Sequence, residues 1–265
     1  MKLTILGCGQ MGETILKGLF FSKVITAQDV ALTTKFDDHE KLLKSLYPQV
    51  MVTQNNKEAV KNADVVILAV NPDAAKSVLQ PISSELSSKI LVSICAGITT
   101  QKLVDWTGSS RIVRAMPNLP CGIGEGTVAV SPAENTSKDD QKVVFDLFSN
   151  LGLCIPIDEK HINTVTALAA SGPAFAFVIL EALADGAVMM GLPRKLAAQL
   201  TAQMFQGSAR LLLETGIHPA ALKDQVTTPG GITTAGLLEM EDGRIRSTLA
   251  RTIQKAATRA SKLGD

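Results

Sequence analysis

From Val226 to Glu239 the chain reads Val-Thr-Thr-Pro-Gly-Gly-Ile-Thr-Thr-Ala-Gly-Leu-Leu-Glu, four threonines and a Gly-Gly pair around one proline. An apolar, helix-forming run follows directly. Pro229 fixes its own φ, while Gly230 and Gly231 permit backbone angles closed to other residues. The pattern predicts a tight loop whose N–H groups lie unpaired at the mouth of a helix. The first four amides of a helix lack partners within it, and the helix dipole favours negative charge there. With the hydroxyls of Thr227, Thr228, Thr233 and Thr234 beside those amides, the loop suits a small carboxylate. A capped turn between two helices is the competing reading of the same residues.

A second device stands near the N-terminus. Gly7-Cys-Gly-Gln-Met-Gly12 follows a strand pattern over residues 3–6 and opens a helical pattern over 13–21. In that setting G-x-G-x-x-G binds a dinucleotide. Gly7 is expected to make the tight turn, Gly9 to let the backbone approach a pyrophosphate, and Gly12 to let helix pack on strand. Gln10 and Met11 lie between them in the same cofactor loop. NAD-binding chains usually place an acidic residue at the end of the second strand to take the ribose 2′-OH. Here that end reads Leu32-Thr33-Thr34-Lys35, with Asp29 at the wrong end and Asp37 and Asp38 past the turn. Thr33, Thr34 and Lys35 would suit a 2′-phosphate, so the expected cofactor is NADP, with NAD as an alternative.

Three more turns fall at the carboxyl ends of strand patterns, where open α/β sheets bind ligands. They are Ala69-Val-Asn-Pro72, Cys95-Ala-Gly97 and Met116-Pro-Asn-Leu-Pro120. Ala69, Val70, Asn71, Pro72, Ala96, Gly97 and Asn118 are the cofactor wall expected from them. Asn56, opening the helix pattern after the third strand, joins the cofactor set.

These groups need a scaffold, and the chain supplies two kinds. Strand patterns over 3–6, 30–33, 50–52, 65–70, 90–94 and 112–115 alternate with helical ones over 13–21, 38–45, 56–62, 74–79 and 100–106. That alternation predicts a parallel sheet covered on both faces. Further strands are expected over 127–130 and 153–157, flanking a helix over 138–150. After Asp158 the β signal ends, and helices are expected over 163–170, 174–190, 194–214, 219–225 and 244–263. The expected architecture is an α/β Rossmann domain, 1–157, followed by an all-α domain for substrate binding and dimerisation, 158–265. Phe175, Phe177, Val178, Ile179, Leu180, Leu183, Val188, Met189 and Met190 crowd one helix. A helix apolar all round is buried on all sides, which predicts a homodimer sharing this core.

With 26 basic and 25 acidic side chains, nothing global points to nucleic acid or an anionic membrane. The basic residues from Arg244 to Lys262 are read as a solvated helix face. Cys8, Cys95, Cys121 and Cys154 form no CxxC or Cys/His ligand cluster, so no metal site is expected. Reduced thiols and an opening strand without a leader pattern give a cytoplasmic location as the expectation. Residues 162–180 are nearly uncharged. Thr164, Thr166, Ser171, Gly172 and Pro173 interrupt them, so a helix buried in a core or subunit interface is expected rather than a membrane span. Ser171-Gly-Pro173 reads as a break and fresh start, with Ser171 as cap and Pro173 in the first turn. A threonine such as Thr166, within the preceding helix, usually bonds its own turn.

Together these segments resemble pyrroline-5-carboxylate reductase over essentially the whole chain. The resemblance rests on the Gly7-to-Gly12 motif, Ala69-Val-Asn-Pro72, Met116-Pro-Asn-Leu-Pro120, Thr166 through Pro173, Leu192-Pro193, and Leu222-Lys-Asp-Gln-Val-Thr-Thr-Pro-Gly-Gly-Ile-Thr233. The chain departs from the family at Asn71, where lysine is frequent, and at Thr228, where many members have serine. The resemblance implies NAD(P)H-dependent reduction of L-1-pyrroline-5-carboxylate to L-proline, the last step of proline biosynthesis. It implies a homodimer through the helical domain, which family members often build into rings of dimers. It places the substrate carboxylate on Thr228, Gly230, Gly231, Ile232 and Thr233, and the Thr166 hydroxyl near the imine nitrogen, to donate or relay its proton. A protonated cyclic imine accepts hydride readily, so the chemistry calls for positioning and water exclusion. His39, His161 and His218 are expected to stand apart from the site. A 3-hydroxyacid dehydrogenase of similar build would need a lysine within 163–170, which is missing. A nucleotide-sensing or pyridoxal-phosphate-binding regulator would not need both intact motifs.

Overall fold

Strands β1 (Leu3–Leu6), β2 (Val30–Thr33) and β4 (Val65–Leu68) are buried at every residue. Unbroken apolar runs of this kind suit a parallel sheet whose two faces are both covered. The computed structural model, which describes residues 1–263, arranges eight strands in the order β3-β2-β1-β4-β5-β6-β7-β8. Between the strands lie α1 (Gln10–Phe21), α2 (Asp37–Leu46), β3 (Met51–Thr53), α3 (Asn56–Val60), α4 (Pro72–Leu79), α5 (Ser83–Leu86), β5 (Ile90–Ser93), α6 (Thr100–Thr107) and β6 (Ile112–Met116). All pairs from β3 to β6 are parallel. The chain winds outward from β1 to β2 and β3 on one side, and through β4 to β6 on the other. The switch point at the carboxyl ends of β1 and β4 is where such sheets take ligands.

Leu3, Ile5, Val65 and Ile67 face Ile15, Leu16 and Leu19, while Leu6, Val66 and Leu68 pack with Leu79, Leu86 and Leu103. Each fully buried leucine or isoleucine contributes about 1.5–3 kcal/mol, so the two layers fix the frame that aims the loops.

The sheet is mixed rather than parallel throughout. Only a short 3-10 segment, Leu119–Ile123, separates β6 from β7 (Gly126–Pro132), and β7 runs antiparallel to β6. A parallel return needs a longer crossover. The chain makes one through α7 (Lys138–Phe148), and β8 (Gly152–Pro156) is parallel to β7.

The helix expected over 163–170 is divided. One turn, α8 (Ile162–Val165), gives way to a π-helical turn over Thr166–Ala170, in which the Ser171 N–H reaches back to the Thr166 carbonyl at 2.9 Å. Ile162 is buried with Met116 and Ala129. The first compact unit therefore runs through Ser171 and takes in the stretch from Gln254, although the β signal stops at 157.

The second compact unit, Gly172–Ile253, holds α9 (Gly172–Met189), α10 (Arg194–Thr215), α11 (Pro219–Gln225), α12 (Ile232–Asp242) and the start of α13 (Ile245–Ala260). Within α9 only Ala184 is buried. Phe177 and Val178 are exposed, and Met189 is 86% exposed. The continuous helical stretch Glu159–Met189 is long and apolar enough to cross a membrane.

Candidate active site

In the first unit, Gly7 takes φ +79°, and a Cβ there would lie 2.3 Å from Val70 Cγ1. The tight turn admits only glycine. At Gly12 a Cβ would stand 3.1 Å from Ile5 Cγ2, so this glycine lets α1 press onto β1. Nothing lies within 4 Å of a Cβ built on Gly9, whose φ of −82° is ordinary. The protein itself does not require glycine there; a ligand approaching the backbone would. Gly9 caps α1 without a side-chain hydrogen bond, so the helix start, with Gln10, Met11 and Gly12, is open to an anion. The residues fit a dinucleotide pyrophosphate.

At the end of β2 the three candidates separate. Thr33 is buried: its hydroxyl accepts the Gly7 N–H at 3.1 Å and its carbonyl the Cys8 N–H at 2.7 Å, so it braces the glycine turn. The Thr34 hydroxyl lies 3.1 Å from His39 Nδ1, and Lys35 is exposed. This corrects the expectation that no histidine adjoins a site residue. The turn into α2 brings the two together across five positions, a contact that no motif announces. Nearby, the Lys17 ammonium chiefly holds the Glu13 carboxyl below its ordinary range, with Tyr47 and His39 adding to the effect against partial burial.

Ala69 and Val70 follow β4, the Ala69 N–H donating to Leu6 at 2.8 Å. Asn71 caps α4 without a side-chain bond, and Pro72 opens it. Ala96 and Gly97, the latter at φ +77°, form the turn after β5. The preceding thiol of Cys95 donates to the Val70 carbonyl at 3.2 Å, and burial pushes its pKa up to about 11, which keeps it neutral. Asn56 is the first residue of α3 and half-buried, its helix capped by Asn55. Asn118 is buried with its side chain committed. Its amide donates to the Ala169 carbonyl at 3.1 Å, and its oxygen accepts the Thr127 N–H at 2.9 Å. It clamps the β6–β7 turn to the π-helical turn.

That π-helical turn begins at Thr166, which is buried and donates its hydroxyl to the Ile162 carbonyl at 2.7 Å. The proton is spent within the turn, and the oxygen keeps lone pairs to offer. π-Bulges are frequent at functional sites because they widen the helix at one point.

Sequence reasoning missed Arg114, which is 2% exposed in β6. Its guanidinium reaches Glu159 at 3.3 Å, and Glu159 also accepts the Thr100 N–H and hydroxyl, both at 2.7 Å. One carboxylate thereby ties β6 and the start of α6 to the turn leading into α8. The available signal was a lone arginine inside the apolar run Ile-Val-Arg-Ala-Met.

The second unit contains the threonine loop. Gly230 takes φ +66°, and the Gly231 N–H closes the turn onto the Thr228 carbonyl at 2.9 Å. The Thr227 hydroxyl donates to Lys223 at 2.7 Å and that of Thr234 to Thr228 at 3.2 Å. Among the described residues, the hydroxyls of Thr228 and Thr233 hold no hydrogen bond. Gly231 caps α12 without a side-chain bond, leaving that helix start open as well. Ile232 is 95% exposed.

Residues 159–263 match the family model described as pyrroline-5-carboxylate reductase dimerisation, and residues 2–97 that of NADP oxidoreductase coenzyme F420-dependent. The chain is 39% identical to a pyrroline-5-carboxylate reductase of Arabidopsis thaliana, covering 99% of this chain and 95% of the plant protein. It is 35% identical to that of Methanosarcina acetivorans, covering 99% and 98%. Among solved structures, Plasmodium falciparum pyrroline carboxylate reductase with NADP bound superimposes with a TM-score of 0.92 at 32% identity, covering 100% of this chain and 98% of that one.

Proposed function

The chain belongs to the pyrroline-5-carboxylate reductase family, and from that membership we propose how its residues divide the work. It is an NADP-dependent oxidoreductase that reduces L-1-pyrroline-5-carboxylate to L-proline, the last step of proline biosynthesis. The observation that carries the assignment is the match over nearly the full length of both chains. NADPH, when bound, supplies the hydride that reduces C5 of the imine.

Residues 1–157 hold the cofactor and 158–265 supply the substrate contacts and the dimer face. The open start of α1 receives the pyrophosphate at Gln10, Met11 and Gly12, with Gly9 giving close approach. Thr34 and Lys35 take the 2′-phosphate. Asn56, the residues from Ala69 to Pro72, Ala96 and Gly97 line the rest of the cofactor, and Asn118 holds the neighbouring turn in place. NADH, lacking the phosphate, would bind through the same residues except Thr34 and Lys35.

Thr228, Gly230, Gly231, Ile232 and Thr233 hold the substrate carboxylate. The two uncommitted hydroxyls and the open start of α12 support this role. Thr166 offers an oxygen lone pair to the protonated imine N–H. Its own proton is engaged by Ile162, so relaying a proton from water would require that hydroxyl to turn.

The chain oligomerises, as the dimerisation match implies. The exposed apolar face of α9 is assigned to a second copy in a homodimer, with rings of dimers as the larger assembly, rather than to membrane or nucleic acid. Four unpaired, buried thiols suit a reducing cytoplasm.

The test is direct. Purified protein with NADPH and pyrroline-5-carboxylate should consume nicotinamide absorbance, and 3-hydroxy acids with NADP⁺ should give none. The reverse pattern would overturn the assignment.

A further inference from the structure

Thr34 is 7% exposed at the end of β2, and its hydroxyl meets Nδ1 of His39, a residue of α2, at 3.1 Å. A hydroxyl carries one proton and two acceptor lone pairs. The Phe36 N–H points at one lone pair from 3.5 Å. When Nδ1 accepts, it takes the only proton Thr34 has, and nothing remains to donate to an anion. When Nδ1 carries a proton and donates, the hydroxyl proton is released to point outward. Ionised phosphate oxygens only accept, so a bound phosphate selects the second arrangement, a chain running from Nδ1–H to the Thr34 hydroxyl to the phosphate.

We propose that His39 sets the donor direction of Thr34 and is thereby a positioning residue that determines preference for the 2′-phosphate of NADP. The inference rests on the reading of the β2 end as the 2′-phosphate site. The first turn of α2 carries three carboxylates, Asp37, Asp38 and Glu40, whose charge an anion at this site must tolerate; Asp38 pairs with Lys41 at 3.8 Å. The carboxylates of Asp37 and Glu40, in the same turn of α2, both accept from Gln54 Nε2, at 2.6 and 2.8 Å. Glu40 also pairs with the Lys44 ammonium at 2.6 Å. Lys35 stays exposed beside them. A cofactor without the phosphate gains nothing from the direction of the Thr34 proton.

Calorimetric titration of the full-length protein with 2′,5′-ADP and with 5′-AMP isolates this effect from turnover. In His39→Leu, affinity for 2′,5′-ADP should fall about fivefold while that for 5′-AMP holds, the scale of one ordinary hydrogen bond. His39→Asn, whose amide N–H can still donate to Thr34, should recover much of the loss. Thr34→Val combined with His39→Leu should bind no worse than Thr34→Val alone, because His39 acts through that hydroxyl. Unchanged 2′,5′-ADP binding in His39→Leu, beside a clear loss in Lys35→Asp, would overturn the role of His39 and leave the phosphate site standing. Equal losses for both ligands, or additive losses in the double variant, would also overturn it. If Thr34→Val and Lys35→Asp are silent too, the phosphate site itself is misplaced and the inference goes with it.

Discussion

In the loop before α1, a methyl group on Gly7 would lie 2.3 Å from Val70 and one on Gly12 3.1 Å from Ile5, both neighbours from the sheet and its turns. In the loop before α12, a methyl on Gly230 would meet nothing, and one on Gly231 would lie 2.3 Å from the Thr228 hydroxyl of its own turn. Both loops present a helix start without a side-chain cap. The first is set into the core, so folding the sheet builds the anion site at the same time. The second is held by bonds within its own turn and to the end of α11, and it stands open, with Ile232 almost fully exposed. Damage to the packed glycines of the first, Gly7 and Gly12, should therefore register in both stability and cofactor binding, and damage to the second in substrate binding alone.

Gly7→Ala is the severest test. A left-handed φ costs a non-glycine residue about 1–2 kcal/mol, and the overlap with Val70 brings the expected destabilisation to about 2–3 kcal/mol. NADPH binding should be lost with it. A denaturation midpoint equal to the parent's would mean the turn is not built into the core. Thr166→Ala comes next, since neither loop touches the reacting nitrogen in the proposed arrangement. Its kcat/KM should fall about a hundredfold, near the upper end for one hydrogen bond to a charged group. A nearly unchanged value would remove Thr166 from the mechanism. Gly9→Ala then separates ligand from fold. Alanine fits φ −82° with space around it, so stability should hold or rise by about 0.4–1 kcal/mol. NADPH affinity should drop about thirtyfold, or about 2 kcal/mol. A loss of stability instead would show that the fold, not the cofactor, demands this glycine.

How far these roles were legible in the sequence follows the range of the interactions behind them. The tight turn at Gly7 and the close packing at Gly12 were legible because their spacing encodes local backbone constraints that the strand-to-helix context makes specific. Thr33 was grouped with the phosphate ligands, whereas its hydroxyl turns inward to Gly7, 26 positions away. Strand alternation alone could not decide between its two partners. The Arg114–Glu159 pair spans 45 positions, and nothing local announces it beyond a charge in an apolar strand. The π-helical turn at Thr166 amounts to one extra residue in a helical repeat, which periodicity over so short a stretch does not resolve. The antiparallel β7 was legible in principle, since no helix pattern lies between Met116 and Gly126. Alternation elsewhere in the domain pointed the other way.

The second loop gives the smaller effects. In Gly231→Ala the new methyl must displace the Thr228 hydroxyl, so KM for the imino acid should rise about tenfold. Stability should stay within about 0.5 kcal/mol, as befits an exposed turn. A large loss of stability would break the contrast with the first loop. Thr233→Ala removes one uncommitted hydroxyl and leaves the backbone amides in place. Its KM for the imino acid should rise about fivefold, and KM for NADPH should not move. Because a carboxylate keeps its charge through the reaction, this contact serves ground and transition states alike, and kcat should stay near the parent value. Thr233→Ser should restore binding, since it returns the hydroxyl without the methyl. Steady-state kinetics with each substrate varied in turn distinguishes these outcomes. An unchanged imino-acid KM in Thr233→Ala would take the carboxylate away from that hydroxyl and leave the helix amides as its only support.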